Sequence, residues 1–553
     1  MLQIKNKTFL ISQILKYVTI FLVSLLFMLV FSLWTTPLYT NWYGCDASFF
    51  TMAGRGITKG WVPYRDFFDL KGPYFFFVEA IGQFIIKGRS GAFVIQVFAN
   101  FFALVLIMKI ARLFISRKKT IFVMIVFLLG HIATLWGGNT LEEYALPLSL
   151  LCLYKLCKDY KLNNAFYVSN LTAFFFGLSI GIITFAKVTV SAPICAMVFA
   201  TGVIYLINKQ FKPLLYFILY VILGFLAGIL PIFVYFGIQG NLSDMIYSVF
   251  IFAFKRGVDS DQYGDLTWEL KISGCYFAAI FALCQLMPTK EFIKSSIKKI
   301  SEFVNDLASK NNDNAISSDD SDVVISTDSN LVNEKSESDY LESDIQEKKP
   351  FALIFVLLCM AVLTSFTLHL GDPFIYYFTT AYPALLFALI LMMYMFNPLT
   401  LFECWRLDLP LACFVLFCVS YFASYAAGTI DTVLFDRDNT YYQEYVSAAF
   451  EMGSFIPQAD RDKVFSFNMD MQWFEINDIL PCNRYQVNLQ YFCSLDPRIR
   501  ESLLDWLDTT PPKWLVIGGD LKSYIPEIYD SVSVKYTEVY TNSYGALYLL
   551  NEN

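Results

Sequence analysis

Apolar residues run through this chain in long stretches with few charges, at 16–35, 92–115, 120–137, 144–158, 171–189, 191–207, 213–237, 272–288, 351–369, 375–396 and 409–427. Most approach the ~20 residues a helix needs to cross a hydrocarbon core of ~30 Å. The pattern predicts a polytopic α-helical membrane protein with about eleven transmembrane helices. The first run is too long for a signal-peptide core and lacks a small-residue cleavage site, so it reads as an uncleaved first helix. A further apolar piece at 73–87 would form a helix of only about 22 Å at 1.5 Å per residue, and it contains Glu79. It reads as an interfacial juxtamembrane helix, because a crossing there would put Arg117, Lys118 and Lys119 outside.

With that choice the basic residues gather at the inner ends of the runs: Lys155, Lys158 and Lys161, then Lys209 and Lys212, Lys290 to Lys299, Lys348 with Lys349, and Arg406. The positive-inside bias then places the N-terminus in the cytoplasm and the C-terminus outside. From about 428 the pattern turns soluble. "KVFSFNM" and "KWLVIGG" read as short buried strands, and "DPRIRESLLDWLD" as a helix with Asp496 as N-cap and Pro497 at its first position. "VKYTEVYTNSYGALYLL" reads as a terminal hairpin. The expected organisation is a transmembrane catalytic module over 1–300 with its first outer loop at 37–91, an acidic cytoplasmic insert at 301–347, further transmembrane helices over 348–427, and a small extracytoplasmic α/β domain over 428–553.

Composition sharpens this in three places. Only 16% of residues are charged and 56% are hydrophobic, against about 25% charged in ordinary soluble domains. The net charge of -7 comes from the insert, which holds 13 Asp and Glu against 2 Lys and is too polar to bury a core. Of twelve Cys, nine lie in or beside apolar runs, while Cys482 and Cys493 could pair if their domain meets an oxidising space. Only His131 and His369 exist, which argues against a histidine-based metal site or a Ser-His-Asp triad.

Polar groups that are costly near a bilayer converge on the outer face. They are Asp46, Arg65, Asp66, Asp69 and Lys71 in the first loop, Glu142 and Glu143 in "GGNTLEEYALP", Lys187, Lys255 and Arg256, and His369, Asp372, Tyr376 and Tyr377 in "HLGDPFIYYFTTAYP". A carboxylate can deprotonate an acceptor hydroxyl. Lys and Arg can hold a lipid phosphate and stabilise charge as it departs. Tyrosines add hydroxyl donors and stacking faces. The bland alternative is a solvated, salt-bridged loop.

"DASFFTMAGRGITKGWVPYRDFFDLKGPYFFF" resembles the first outer loop of GT-C fold membrane glycosyltransferases, in particular the bacterial glycosyltransferase family 39 and aminoarabinose-transferase-like group. "GGNTLEEYALP", the Lys ending "GIITFAK", "YYFTTAYPALL" and "PPKWLVIGG" fall in that group's order. The resemblance implies inverting transfer of a hexosyl or pentosyl unit from a polyprenyl-phosphate donor to an extracytoplasmic lipid, cell-surface glycan or protein, in a bacterial plasma membrane. It implies Asp46 as general base or its electrostatic partner, with Glu142 or Glu143 as the second acidic group, orienting the acceptor or a divalent cation. Lys71, Lys187, Tyr376, Tyr377 and Arg256 would then hold lipid phosphate or sugar. Arg65, paired with Asp66 and Asp69, would chiefly fix the loop. Asp46 and Glu142 are the implied ligands if a divalent cation, Mg2+ or Mn2+, takes part. Ala47 and Leu70 depart from the group's pattern. Membrane lipids are expected partners and nucleic acid is not. The rival readings are a transporter or flippase of lipid-linked saccharides, for which no internal repeat is evident, and a non-catalytic sensor or assembly protein.

Overall fold

The computed structural model describes residues 2–163, 165–258, 266–287, 350–369, 374–395, 405–421, 425–435 and 439–551. The acidic insert, Asp372 and the basic residues 290–299 and 348–349 lie outside them. Helices dominate. The first nine, α1 to α9, are Leu2–Phe31, Cys45–Thr58, Pro73–Ile85, Arg89–Arg112, Arg117–Thr134, Leu141–Asn163, Asn170–Thr184, Ala192–Ile207 and Phe211–Gln239. Leu266–Leu286, Phe351–Leu368, Tyr382–Met395 and Trp405–Tyr421 continue the apolar set.

Among the described residues, six helices are long and apolar enough to cross a membrane. They include Leu10–Phe31, Arg89–Arg112 and Phe211–Gln239. Pro73–Ile85, Asn170–Thr184 and Cys275–Leu286 are apolar but shorter. Along α9 the side chains of Leu215, Leu219, Leu226, Leu230 and Val234 are exposed. A continuous greasy face of this kind suits lipid and not water. Its other face lies on α7 with backbones nearly touching: a Cβ on Gly177 would collide with the Val221 carbonyl, and one on Gly224 with that of Phe174. Small residues four apart (Gly177 and Gly181 against Gly224 and Gly228) allow this approach, as at membrane helix interfaces generally.

The stretch after α1, expected as a charged loop, contains α2, a 14-residue helix. Its Gly54 and Gly56 weaken local helix propensity, yet both are required by packing. A Cβ on Gly54 would press on the backbone of Glu79 in α3, and one on Gly56 on the Trp61 ring. Phe49 and Phe50 of α2 meet Phe67, Phe75 and Phe76 edge to face, with Phe50 and Phe75 centroids 4.6 Å apart. Aromatic packing therefore makes this segment a folded platform.

The end domain carries a four-stranded sheet, β1 (Val464–Phe467), β2 (Trp514–Ile517), β3 (Tyr536–Asn542) and β4 (Gly545–Leu550), in the order β1-β2-β4-β3. β1 and β2 are parallel; β4 runs antiparallel to both β2 and β3. Asp496 caps the helix Pro497–Thr509 by accepting from the Arg498 amide at 3.2 Å, as its sequence predicts. Cys482 and Cys493 are unbridged thiols, so that pairing is not made.

Two adjacent phenylalanines tie the domain to the membrane part. Phe67 packs into the α2–α3 cluster, while Phe68 enters the end domain's core beside Tyr485 and Phe492. The Phe68 amide donates to the Arg484 carbonyl at 2.8 Å. A second tie joins the segment Tyr247–Phe252 to the domain. There Asp496 accepts from the Tyr247 hydroxyl and from Arg498 Nε at 2.9 Å, with Lys255 Nζ 3.8 Å away. These donors hold the Asp496 carboxyl well below the usual carboxylate range, the Arg498 bonds contributing most.

Candidate functional site

Lys71 and Lys187 come from distant parts of the chain and are brought together by backbone. The Gly72 amide donates to the Ala186 carbonyl at 2.7 Å, and the Tyr74 amide to the Phe185 carbonyl at 3.3 Å. Gly72 is required there, because a Cβ would collide with the Phe185 carbonyl. The peptide bearing Lys71 is fixed from two further directions. Buried Tyr64 donates its hydroxyl to the Lys71 carbonyl at 2.7 Å, and Asp69 Oδ1 accepts from the Lys71 amide at 2.7 Å. Tyr64 itself sits at φ 68, a left-handed conformation rare for a bulky residue. Strain of this kind persists only where surrounding contacts over-determine it.

The Lys71 ammonium lies 3.8 Å from Asp69 Oδ1 and 4.5 Å from the centre of the Phe50 ring. Burial works to lower its proton affinity, but Asp69, Asp46 and Tyr377 outweigh that and hold its pKa above the ordinary lysine value. Lys71 is therefore a retained cation in a partly dry place.

Lys187 Nζ donates to Glu142 Oε1 at 2.7 Å and stands 3.3 Å from the centre of the Tyr377 ring. The Tyr376 and Tyr377 rings meet at 83° with centroids 4.6 Å apart. The Arg256 guanidinium lies 5.7 Å from the centre of the Tyr491 ring. Asp46 is exposed in the first turn of α2 and forms part of the wall of a cleft of about 140 Å³ beneath the end domain.

Glu142, Lys187, Tyr377 and Tyr376 thus form a chain of direct contacts, and Asp46, Tyr377 and Arg256 act on Lys71 through charge. Several of the residues singled out from sequence stand apart, Lys255 among them beside Asp496. Glu143 points into the helix bundle, where Gln96 Nε2 donates to it at 2.7 Å and the Thr140 hydroxyl at 2.9 Å, so its carboxyl is occupied structurally. Arg65 is 49% exposed and forks onto Asp66, whose Oδ2 also accepts from the Val62 amide at 2.6 Å. Asp69 does not join that pair; it turns back on Lys71. Sequence reasoning missed Tyr64, whose role depends on a left-handed backbone. It also missed the end-domain side chains Asp470 and Gln486, which reach the Asp46 cleft only through the tertiary fold.

Among the described residues no three His, Cys, Asp or Glu side chains converge, and Glu142 is engaged by Lys187. The arrangement instead offers two fixed cations for an anion, with an exposed carboxylate beside them. That is the pattern for stabilising a departing phosphate while a hydroxyl is deprotonated.

No family model and no curated protein matches the sequence. Solved structures do resemble the fold. ArnT from Cupriavidus metallidurans bound to undecaprenyl phosphate superposes with a TM-score of 0.56 at 12% identity, covering 97% of this chain and 98% of that one. Its apo state gives 0.51 at 12% identity, over 97% of each chain. The oligosaccharyltransferase of Archaeoglobus fulgidus gives 0.47 at 12% identity, over 97% of this chain and 74% of its own. The near-complete two-way overlap with ArnT, together with the apolar helices and the small terminal sheet, shows that this chain has the GT-C membrane fold.

Proposed function

We propose that the protein is an inverting membrane glycosyltransferase that moves a hexosyl or pentosyl unit from a polyprenyl-phosphate donor to an extracytoplasmic acceptor. The observation that carries this reading is the backbone-clasped pair Lys71 and Lys187, two cations from separate elements beside Asp46 and Tyr377. ArnT, which has the same fold, is bound to undecaprenyl phosphate, and the lysine pair is a suitable cradle for such a phosphate in this chain. The proposed topology has eleven crossings, a cytoplasmic N-terminus and α3 lying along the outer interface of a bacterial plasma membrane. The proposed domains are those expected from the sequence, with the lysine cluster on the outer face beneath the 428–553 domain.

In the mechanism, Lys71 and Lys187 bind the donor phosphate and Tyr377 donates a hydrogen bond to it. Asp46 takes the proton of the acceptor hydroxyl as its oxygen bonds to the anomeric carbon from the opposite side. The bond from that carbon to the phosphate oxygen breaks, its electron pair passes to the phosphate, and the lysines stabilise the added charge. Glu142 accepts from Lys187 at 2.7 Å and so competes with the phosphate for that ammonium until the departing charge draws it away. The test is incubation of purified protein with polyprenyl-phosphate sugars and an envelope-lipid acceptor fraction. The expected result is a new glycosidic product by mass spectrometry. Donor passage across a vesicle with no such product would replace the reading with a transporter.

A further inference from the structure

The cleft beside Asp46 has a chemistry distinct from the lysine pair. Its walls include Asp46 from α2, Asn468 and Asp470 just beyond the carboxyl end of β1, and Gln486, Asn488 and Tyr524 from the rest of the end domain. Among the described residues no Lys or Arg lines it, although two carboxylates do. Gln486 is only 3% exposed; its Nε2 donates to the Asn483 carbonyl at 3.0 Å and to that of Asp66 at 3.4 Å, while its Oε1 has no partner. A buried carbonyl oxygen left unpaired is costly, and Gln486 is part of the cleft wall. The lining is thus rich in acceptors and hostile to anions, so its complement carries hydroxyl donors and no negative charge. At about 140 Å³ the cleft falls well below the ~300–1,000 Å³ of pockets for drug-sized ligands, and it matches one small ring. Asp46, the proposed base, is part of its wall, so a ring seated here lies next to the transfer site.

We infer that this cleft is the subsite for one neutral, hydroxylated sugar ring, with Gln486 and Asp470 accepting its hydroxyls. The assignment rests on the transferase reading and adds to it the charge class of the sugar and the residues that select it. The ring belongs to the acceptor or is the donor's own sugar, and the two sources are separable by experiment.

Cys45 gives a local reporter: it is exposed, lines the same cleft, and its thiol donates to Asp470 Oδ2 at 3.1 Å. The full chain in nanodiscs is treated with N-ethylmaleimide, and Cys45 and Cys482 modification rates are followed by peptide mass spectrometry. The probes are methyl glycosides of glucose, galactose, mannose and N-acetylglucosamine, the methyl glycoside of glucuronic acid, and farnesyl-phosphate esters of the neutral sugars. At least one neutral probe slows Cys45 modification while Cys482, the exposed control outside the cleft, is unchanged, and the glucuronoside does not protect. Gln486→Leu raises the protecting concentration about tenfold, as expected for loss of one hydrogen bond to a buried acceptor. Asp470→Asn is the second variant, scored as the ratio of rates with and without sugar because it also alters the thiol's surroundings. Protection by a free glycoside assigns the ring to the acceptor; protection by farnesyl-phosphate sugars alone assigns it to the donor. Protection by no neutral probe, equal protection by the glucuronoside, or indifference to both variants overturns the assignment. Undecaprenyl phosphate binding, measured on the same sample with Lys71→Ala as control, separates the two readings. If the lipid binds and nothing protects, the sugar subsite falls alone; if sugars protect and the lipid does not bind, the transferase reading falls.

Discussion

Replacing Glu142 by Gln should tighten binding of a lipid phosphate while weakening turnover. Glu142 is 2% exposed and holds Lys187, itself 24% exposed, at 2.7 Å. A phosphate that accepts from the opposite side of the same ammonium at ~2.8 Å sits about 5–6 Å from the Glu142 carboxylate. Two negative charges at that distance repel by about 3 kcal/mol at an effective dielectric of 20, and by about 0.7 kcal/mol in bulk water. Lys187 lies between those limits, so removing the Glu142 charge should strengthen binding by about 1–3 kcal/mol, roughly five- to 150-fold. Lys187→Met should act the other way, losing a charged hydrogen bond worth about 1.5–3 kcal/mol. The assay is titration of radiolabelled undecaprenyl phosphate onto wild type and both variants in nanodiscs, at two salt concentrations. Equal or weaker binding by Glu142→Gln would refute the reasoning, because the carboxylate would then help to build the phosphate site and not oppose it.

Gly72→Ala should separate the two lysines, since its methyl collides with the Phe185 carbonyl. A cost of about 1–3 kcal/mol, read as a lower unfolding temperature together with weaker undecaprenyl phosphate binding, is expected. Arg65→Ala should leave that binding within about threefold of wild type, because an exposed pair such as Arg65–Asp66 contributes only about 0–1 kcal/mol. Phe68→Ala, which empties a buried position in the end domain, should cost about 3–5 kcal/mol and speed proteolytic release of that domain. Glu475, on the helix Met471–Asn477 that packs against α2, has its pKa pushed up to about 7 by burial, against the opposing pull of Arg89 and Arg55. In the unfolded chain this carboxyl ionises near 4.5, so the folded state binds the extra proton between those values. Stability should therefore fall as pH rises from about 4.5 to about 7, and Glu475→Gln should flatten that part of the profile of unfolding temperature against pH.

The membrane class and the end-domain strands were legible because uninterrupted apolar runs and short buried β segments leave strong patterns. Helix α2 was not, because its glycines lower local propensity and its reason for being helical is the α3 backbone pressed against Gly54. The same limit divides the site. The residues of the opening motif could be singled out from their cost near a bilayer. Which of Glu142 and Glu143 faces Lys187 depends on helix rotation: one step of about 100° sends Glu143 to Gln96 in the bundle. Gln486 is more than 400 residues from Asp46, and no local pattern marks an amide whose oxygen is left without a partner. Lys71 is intermediate. Its charge and motif were visible, whereas its support by Tyr64 and Asp69 became apparent only in the folded backbone.

The most direct test of the central claim is release of polyprenyl phosphate from a polyprenyl-phosphate sugar, with acceptor present, by wild type and by Asp46→Asn at equal donor occupancy. Wild type should release it, and the variant should lose roughly 100-fold or more, the scale of positioned acid–base catalysis, with donor affinity retained. Undiminished release by Asp46→Asn would contradict that claim, and so would a wild type that binds the donor and never releases polyprenyl phosphate with any acceptor supplied.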